Sequence, residues 1–235
     1  EKRMKLFLPF LFIFLISYSV FAQGRKVYFS EAVGIHIPKY KKKAKKAYRQ
    51  DNTQYAEFLF DSLVKNHLSG TYIDNFNINC IGKTKKCFND YKKPIYLTTY
   101  ASWCVPGKGE IPALNELAKK YKDKIDFIVL FWDEKKNVKE VISDYRGYID
   151  IVYVDELKNK DAYIVKTMKH SLGFPTTFYI GSDKKIIHID RTAKLPFTDP
   201  FEKSYNLNFN NLSSGISEIL AHEEELLSST PFTLN

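Results

Sequence analysis

The chain has 235 residues, 44% of them hydrophobic and 27% charged, with only 10 Gly and 9 Pro. That balance fits one sizeable buried core with room for an added element, and it excludes a repeat array or a long disordered tail. The formal charge of +9 is concentrated in six lysines between Lys39 and Lys46; a nucleic-acid partner would need a basic face with interleaved readers, so none is expected.

Lys2, Arg3 and Lys5 flank Met4, and Leu6 to Val20 is almost wholly apolar. Val20-Phe21-Ala22 then supplies the small residues that a signal peptidase reads, so residues 1–22 are expected to be a signal peptide with Gln23 as the mature start. Glu1 to Arg3, ahead of Met4, read as an ambiguity in the translation start. The apolar run is about 15 residues against the roughly 20 that cross a bilayer, which leaves an uncleaved anchor as the rival reading. No Cys follows the run, so a lipid anchor is not expected. Export to the periplasm or cell envelope would place the three cysteines where disulfides persist, and an odd number leaves at least one thiol unpaired within the chain.

Residues 23–74 read as a helical extension. From Lys39 to His67, Tyr48, Tyr55, Phe58, Leu59, Leu63 and Val64 recur at helical spacing. The cluster Asp51-Asn52-Thr53 could split the helix, and Gly70 would stop it. The lysine run is the solvated face of the first half, with contact to anionic headgroups, and so membrane proximity, as the alternative.

Residues 75–235 read as one domain. Phe76 to Cys80 and Cys87 onward form two short strands. A loop centred between Lys83 and Thr84 would set Cys80 opposite Cys87, close enough for a structural disulfide; exchange between Cys104 and Cys87 during turnover is the alternative. Ile95 to Thr99 is a strand leading into Trp103-Cys104, and Leu114, Leu117, Ala118 and Tyr121 are the inner stripe of the next helix. Ile125 to Trp132 is a strand buried on both faces. A helix over Val138 to Tyr145, with Val138, Val141, Ile142 and Tyr145 inward, leads to the strand Ile149 to Val154. A helix over Ala162 to His170 follows, then a hairpin of Thr176 to Ile180 and Ile186 to Ile189 around Gly181-Ser182-Asp183. Leu212 to Leu227 closes the chain as a helix with Ile216, Ile219, Leu220 and Leu227 inward. Such alternation predicts a three-layer α/β/α fold whose mixed sheet is parallel at its centre and antiparallel at its edge.

The segment Ala101-Ser102-Trp103-Cys104, Pro106, the offset Glu110-x-Pro112 and the later Gly173-Phe174-Pro175-Thr176 together resemble the thioredoxin fold. More narrowly, they are similar to the exported TlpA/ResA-like thiol-disulfide oxidoreductases, over about Asn75 to Leu195. The resemblance implies a cis peptide at Phe174-Pro175 beside the active cysteine, catalytic roles around Cys104, Trp103, Pro106, Glu110 and Pro175, and a partner surface at Phe174 and Thr176. It also implies a Glu at position 110 that tunes the cysteine; a solvated carboxylate at a helix start is the other reading. A thiol at a helix N-terminus would be biased toward thiolate, the nucleophile of disulfide exchange.

The sequence departs from the pattern at Gly107, where the second cysteine of Cys-x-x-Cys would stand. Gly107 cannot resolve a mixed disulfide, and Gly107 and Gly109 each weaken a first helical turn by about 1 kcal/mol relative to Ala. His36, His67, His170, His188 and His222 show no metal-ligand spacing, so no metal or cofactor is expected. Only His170 lies near the Pro175 loop, where it could otherwise be a helix C-terminal residue. A peroxidase of the peroxiredoxin type would need Pro and Thr or Ser where this chain has Leu97 and Ala101. Two functions remain: monothiol exchange at Cys104 with a protein or small-molecule disulfide, or a redox-inactive binding module that uses the Trp103/Pro175 surface and the lysine-rich helix.

Overall fold

The computed structural model describes residues 25–82, 86–191 and 199–229. The apolar run from Leu6 to Val20, the loop centre at Lys83 and Thr84, and Leu195 lie outside them. No described helix is long and apolar enough to cross a membrane.

Helix α1 spans Phe29–Arg49, ten residues longer at its start than the Lys39 boundary, and it runs through Pro38. An interior proline costs about 3 kcal/mol. The helix persists because Phe29, Ala32, Val33, Ile37, Tyr40 and Ala44 form one buried stripe, each large side chain contributing about 1.5–3 kcal/mol. A buried carboxylate from elsewhere caps it: Ser30 donates its N–H to Asp74 Oδ2 at 2.9 Å and its hydroxyl to Oδ1 at 2.6 Å. Asp51, at φ 51°, then breaks the helix where the polar cluster lies. Asn52 caps α2, Thr53–Leu63, by accepting the Tyr55 N–H at 3.0 Å.

A π-helical turn, Val64–Leu68, follows α2, and Gly70 ends it at φ 82°. The inner stripe of α2 is Ala56, Leu59, Phe60 and Leu63, while Tyr48, Tyr55 and Phe58 are exposed. The break at Asp51 resets the helical phase, so one stripe cannot continue across it.

Seven strands form the sheet in the order β2-β1-β5-β4-β3-β6-β7. They are β1 Asn77–Cys80, β2 Lys86–Cys87, β3 Ile95–Tyr100, β4 Asp126–Phe131, β5 Ile149–Tyr153, β6 Thr176–Ile180 and β7 Ile186–Asp190. β3, β4 and β5 are parallel, whereas β6, β7, β1 and β2 pair antiparallel. Period-2 alternation divides the core. Ile95, Leu97, Ile128 and Leu130 face a layer containing α1, α2 and α5 (Ala162–Ser171). Tyr96, Tyr100, Phe127 and Val129 face a layer of α3 (Glu110–Tyr121), α4 (Lys135–Val141) and α6 (Phe201–Ser229).

The β1–β2 register sets Cys87 opposite Asn77, so Cys80 and Cys87 do not face each other as the centred loop would require. The antiparallel turn is offset by three residues from that reading. Cys80 is buried beside Tyr91, whose phenol donates to Asp150 Oδ2 at 3.1 Å. The helix expected from Val138 to Tyr145 is displaced to Lys135–Val141, which leaves Val141 exposed and places Tyr145 beyond it. The last helix begins at Phe201 rather than Leu212, and Leu227 is exposed. Its polar first turns are helical because Ser204 and Asn208 are buried by tertiary packing.

Both margins of the sheet are short or covered. β2 has two residues. At the start of β7, Gly70 N–H donates to Ile186 O at 2.7 Å, Ile186 N–H to Thr71 O at 2.8 Å, and Ile73 N–H to Lys184 O at 2.9 Å.

Candidate active site

Thr99 and Thr176 are the last paired residues of β3 and β6. From there the two strands pass, side by side, into the segments holding Cys104 and Pro175. The Phe174–Pro175 peptide is cis. Thr176 donates its hydroxyl to Gly173 O at 2.9 Å, and its own carbonyl accepts the Thr99 hydroxyl at 3.2 Å.

The residues from 101 to 109 have no regular structure, because α3 begins only at Glu110 with Gly109 as its N-cap. The thiol therefore does not sit at a helix N-terminus, as the motif suggested. Pro106 has no N–H to donate, and the two glycines hold the next positions weakly in a helix. Cys104 is half-buried; its N–H donates to Ala101 O at 2.9 Å, and its side chain packs on the cluster of Tyr100, Leu114 and Phe131. Trp103 is 73% exposed and meets Phe174 edge-on, with ring centroids 6.3 Å apart.

Three side chains from outside hold this segment. Asp133 Oδ2 accepts the Ser102 N–H at 2.5 Å. Glu110 is the first helical residue; its Oε2 accepts the Gly107 N–H at 2.9 Å and its Oε1 accepts the Tyr100 hydroxyl. Ser204, 1% exposed at the start of α6, accepts the Gly109 N–H at 3.1 Å. A Cβ at Gly107 would lie 2.9 Å from Ser204 Oγ, and one at Gly109 would lie 2.1 Å from Tyr205 N. The close approach of α6 thus requires glycine at 109 and leaves little room for a second thiol at 107.

Beneath the loop, a cavity of about 20 Å³ is bounded by Tyr100, Glu110, Tyr145, Pro175 and Asn208, which is room for one water. Burial, reinforced by the Glu110 carboxylate, pushes the Tyr145 phenol well above its ordinary value, and burial does the same to Tyr96. His170 stands apart from this group, its Nε2 3.3 Å from Glu156 Oε1.

The structure gathers Cys104, Trp103, Pro106, Glu110, Phe174, Pro175 and Thr176 at one end of β3 and β6. Tyr100, Asp133, Tyr145 and Ser204 belong to the same site and were not found from the sequence. The glycine pair signals a close backbone approach, but nothing local in the sequence says that α6 makes it.

A cysteine at the end of a central strand, facing a proline loop from the neighbouring antiparallel strand, defines a protein of thioredoxin-like fold. Residues 70–189 match the model of the AhpC/TSA family, and the chain belongs to that family. It is 32% identical over 121 residues to the thiol-disulfide oxidoreductase ResA of Bacillus thuringiensis subsp. konkukian, a match covering 50% of this chain and 66% of that protein, just under two thirds. It is 24% identical over 119 residues to the thioredoxin-like protein YneN of Bacillus subtilis, covering 50% of this chain and 68% of that one. Among solved structures it is similar to the thioredoxin domain of a thiol-disulfide oxidoreductase from Bacteroides vulgatus. That likeness has a TM-score of 0.47 and 16% identity, covering 62% of this chain and 96% of the other.

Proposed function

We propose that the chain is an exported thiol–disulfide exchange protein working through Cys104 alone, in the redox homeostasis of the cell envelope. The observation that carries this reading is the half-buried Cys104 thiol beside the exposed Trp103 ring and the Phe174–Pro175 loop, in a chain whose relatives include a named thiol-disulfide oxidoreductase. In the proposed step, the Cys104 thiolate attacks one sulfur of a partner disulfide. That S–S bond breaks, the partner's other sulfur leaves as thiolate, and a Cys104–partner disulfide forms. An external thiolate, in place of a second cysteine at 107, then attacks the partner's sulfur in that mixed disulfide: the Cys104–partner bond breaks, Cys104 leaves as thiolate, and a disulfide between the partner and the external thiol forms.

In this reading Trp103 and Phe174 offer the apolar wall for the partner, while Pro175 and Thr176 present the opposing backbone. Pro106 keeps the cysteine segment out of the helix. Glu110 is a positioning residue through its bond to the Gly107 N–H. The relatives' redox names, together with the Leu6 to Val20 run, support an envelope location. Membrane proximity, through an uncleaved N-terminal segment or the exposed lysines of α1, belongs to the same proposal. A Cys80–Cys87 bridge would need a geometry other than direct opposition across β1 and β2.

One observation favours the second reading, a binding module without redox chemistry: α3 starts six residues past the thiol, so helix-dipole activation is weaker than the motif implies. The pH dependence of iodoacetamide alkylation, with Cys104→Ser as the blank, separates the two. Exchange predicts Cys104 alkylation that is already fast at neutral pH and a trappable mixed disulfide. Alkylation that becomes fast only at alkaline pH, with no trapped adduct, would establish the binding module instead.

A further inference from the structure

A groove of about 690 Å³ runs from α1 to the segment just before Phe174. Its floor is apolar, made by Tyr40, Ala44 and Leu172, all buried. Its rim is basic and comes from separate parts of the chain. Lys41, Lys45 and Arg49 recur every four residues on one face of α1, and Arg191 arrives from the end of β7. Arg191 is held in place: its Nη2 donates to the Tyr40 hydroxyl at 2.9 Å, and its guanidinium lies 3.6 Å from the Phe60 ring centroid. Lys41 Nζ reaches the His170 carbonyl at 3.0 Å. Among the described residues, no carboxylate pairs with Lys41, Lys45, Arg49 or Arg191. Glu156, the acidic neighbour of His170, is already engaged by Lys169 and His170.

We propose that this groove docks an acidic, extended segment of the partner protein, next to the cysteine that exchanges with Cys104. The proposal rests on the exchange reading and names its substrate class. The groove reaches Leu172 and Gly173, and the next residue, Phe174, touches Trp103 beside Cys104. A partner whose sulfur meets Cys104 therefore carries its flanking residues over the groove. Four such cations above an apolar floor complement carboxylates on a chain with some apolar contact. An ordinary solvated lysine face would not gather cations from residues 41 to 191 around one concavity.

The test uses two synthetic peptides, each with one cysteine activated as its mixed disulfide with 2-nitro-5-thiobenzoate. One carries four aspartates beside the cysteine and the other four asparagines. When the Cys104 thiolate attacks the peptide sulfur, the aryl thiolate leaves with the bonding pair and is read by its absorbance. At low salt the acidic peptide should react about tenfold faster. That advantage should vanish in a Lys41→Glu/Lys45→Glu/Arg49→Glu variant, while the neutral peptide's rate stays unchanged.

Equal rates for the two peptides, or an advantage that survives the charge reversal, would overturn the proposal. Failure of exchange itself reads differently: neither peptide nor free 5,5′-dithiobis(2-nitrobenzoate) reacts, and docking is then decided by fluorescence anisotropy of a cysteine-free acidic peptide. Binding that is lost in the triple variant supports the groove, and no binding overturns it. If instead the triple variant loses only its flotation with phosphatidylglycerol vesicles, with no peptide effect, the face is a membrane surface and the peptide proposal falls.

Discussion

The segment from Ala101 to Gly109 carries the thiol through nine residues without regular structure, whereas Gly173 to Pro175 turns directly into β6. The proline segment is held by one bond within its own turn, the Thr176 hydroxyl to Gly173 O, and by the sheet, where the Thr99 hydroxyl of β3 donates to Thr176 O. The cysteine segment is held by side chains from outside the sheet: Glu110 at the start of α3, Asp133 after β4, and Ser204 with Tyr205 at the start of α6. One half of the site is thus fixed by its own turn and the sheet, and the other by side chains from the helical layer and the loop after β4. The geometry of the thiol should therefore respond to changes in α6 that leave the proline segment alone.

The largest effect should come from Gly109→Ala. Its Cβ would lie 2.1 Å from a backbone nitrogen of α6, so chain rather than side chain must move. A loss of roughly 3 kcal/mol, the upper end for overpacking, is expected in urea unfolding, together with faster Cys104 alkylation. An unchanged midpoint would mean that α6 does not clamp the loop.

Ser204→Ala strands the buried Gly109 N–H and should cost about 2 kcal/mol. The same substitution sharpens the question of the missing cysteine. Gly107→Cys alone should form a disulfide between Cys104 and the introduced thiol slowly with oxidised glutathione. Gly107→Cys/Ser204→Ala should form it faster, as read by thiol titration. Equal rates would show that Ser204 does not limit the position.

The smallest effect is expected from Thr176→Val, which removes one local bond and costs about 1 kcal/mol without altering Cys104 alkylation. A change in thiol reactivity there would erase the contrast between the two segments.

What was legible in the sequence follows the same division. The alternating strands, the β6–β7 hairpin and the break at Asp51 rest on short-range patterns, and they stand where those patterns put them. The residues of the site were identified together through their resemblance to one family's motifs, and they meet in space because Trp103-Cys104 and Phe174-Pro175 adjoin strands that pair in register. Three features were not legible because each is settled by contacts distant in sequence. Pro38 lies within α1 because a buried stripe outweighs it. The first turns of α6 are polar, and only packing against α3 makes them helical. The late start of α3, which takes the thiol away from the helix end, depends on Glu110 and Ser204 binding the loop's own N–H groups. The offset between Cys80 and Cys87 has a different origin: a register can slide when a two-residue strand supplies little to pin it.

The covering of the start of β7 by residues 70–73 has a consequence for the crowded state of a newly made chain. An open sheet edge is a template onto which another molecule can add its own strand. Here one margin is only two residues long, and the other already exchanges backbone hydrogen bonds with the segment behind α2. The helical extension therefore does more than complete a layer: by carrying that segment to the start of β7, it shortens the edge onto which another strand could add.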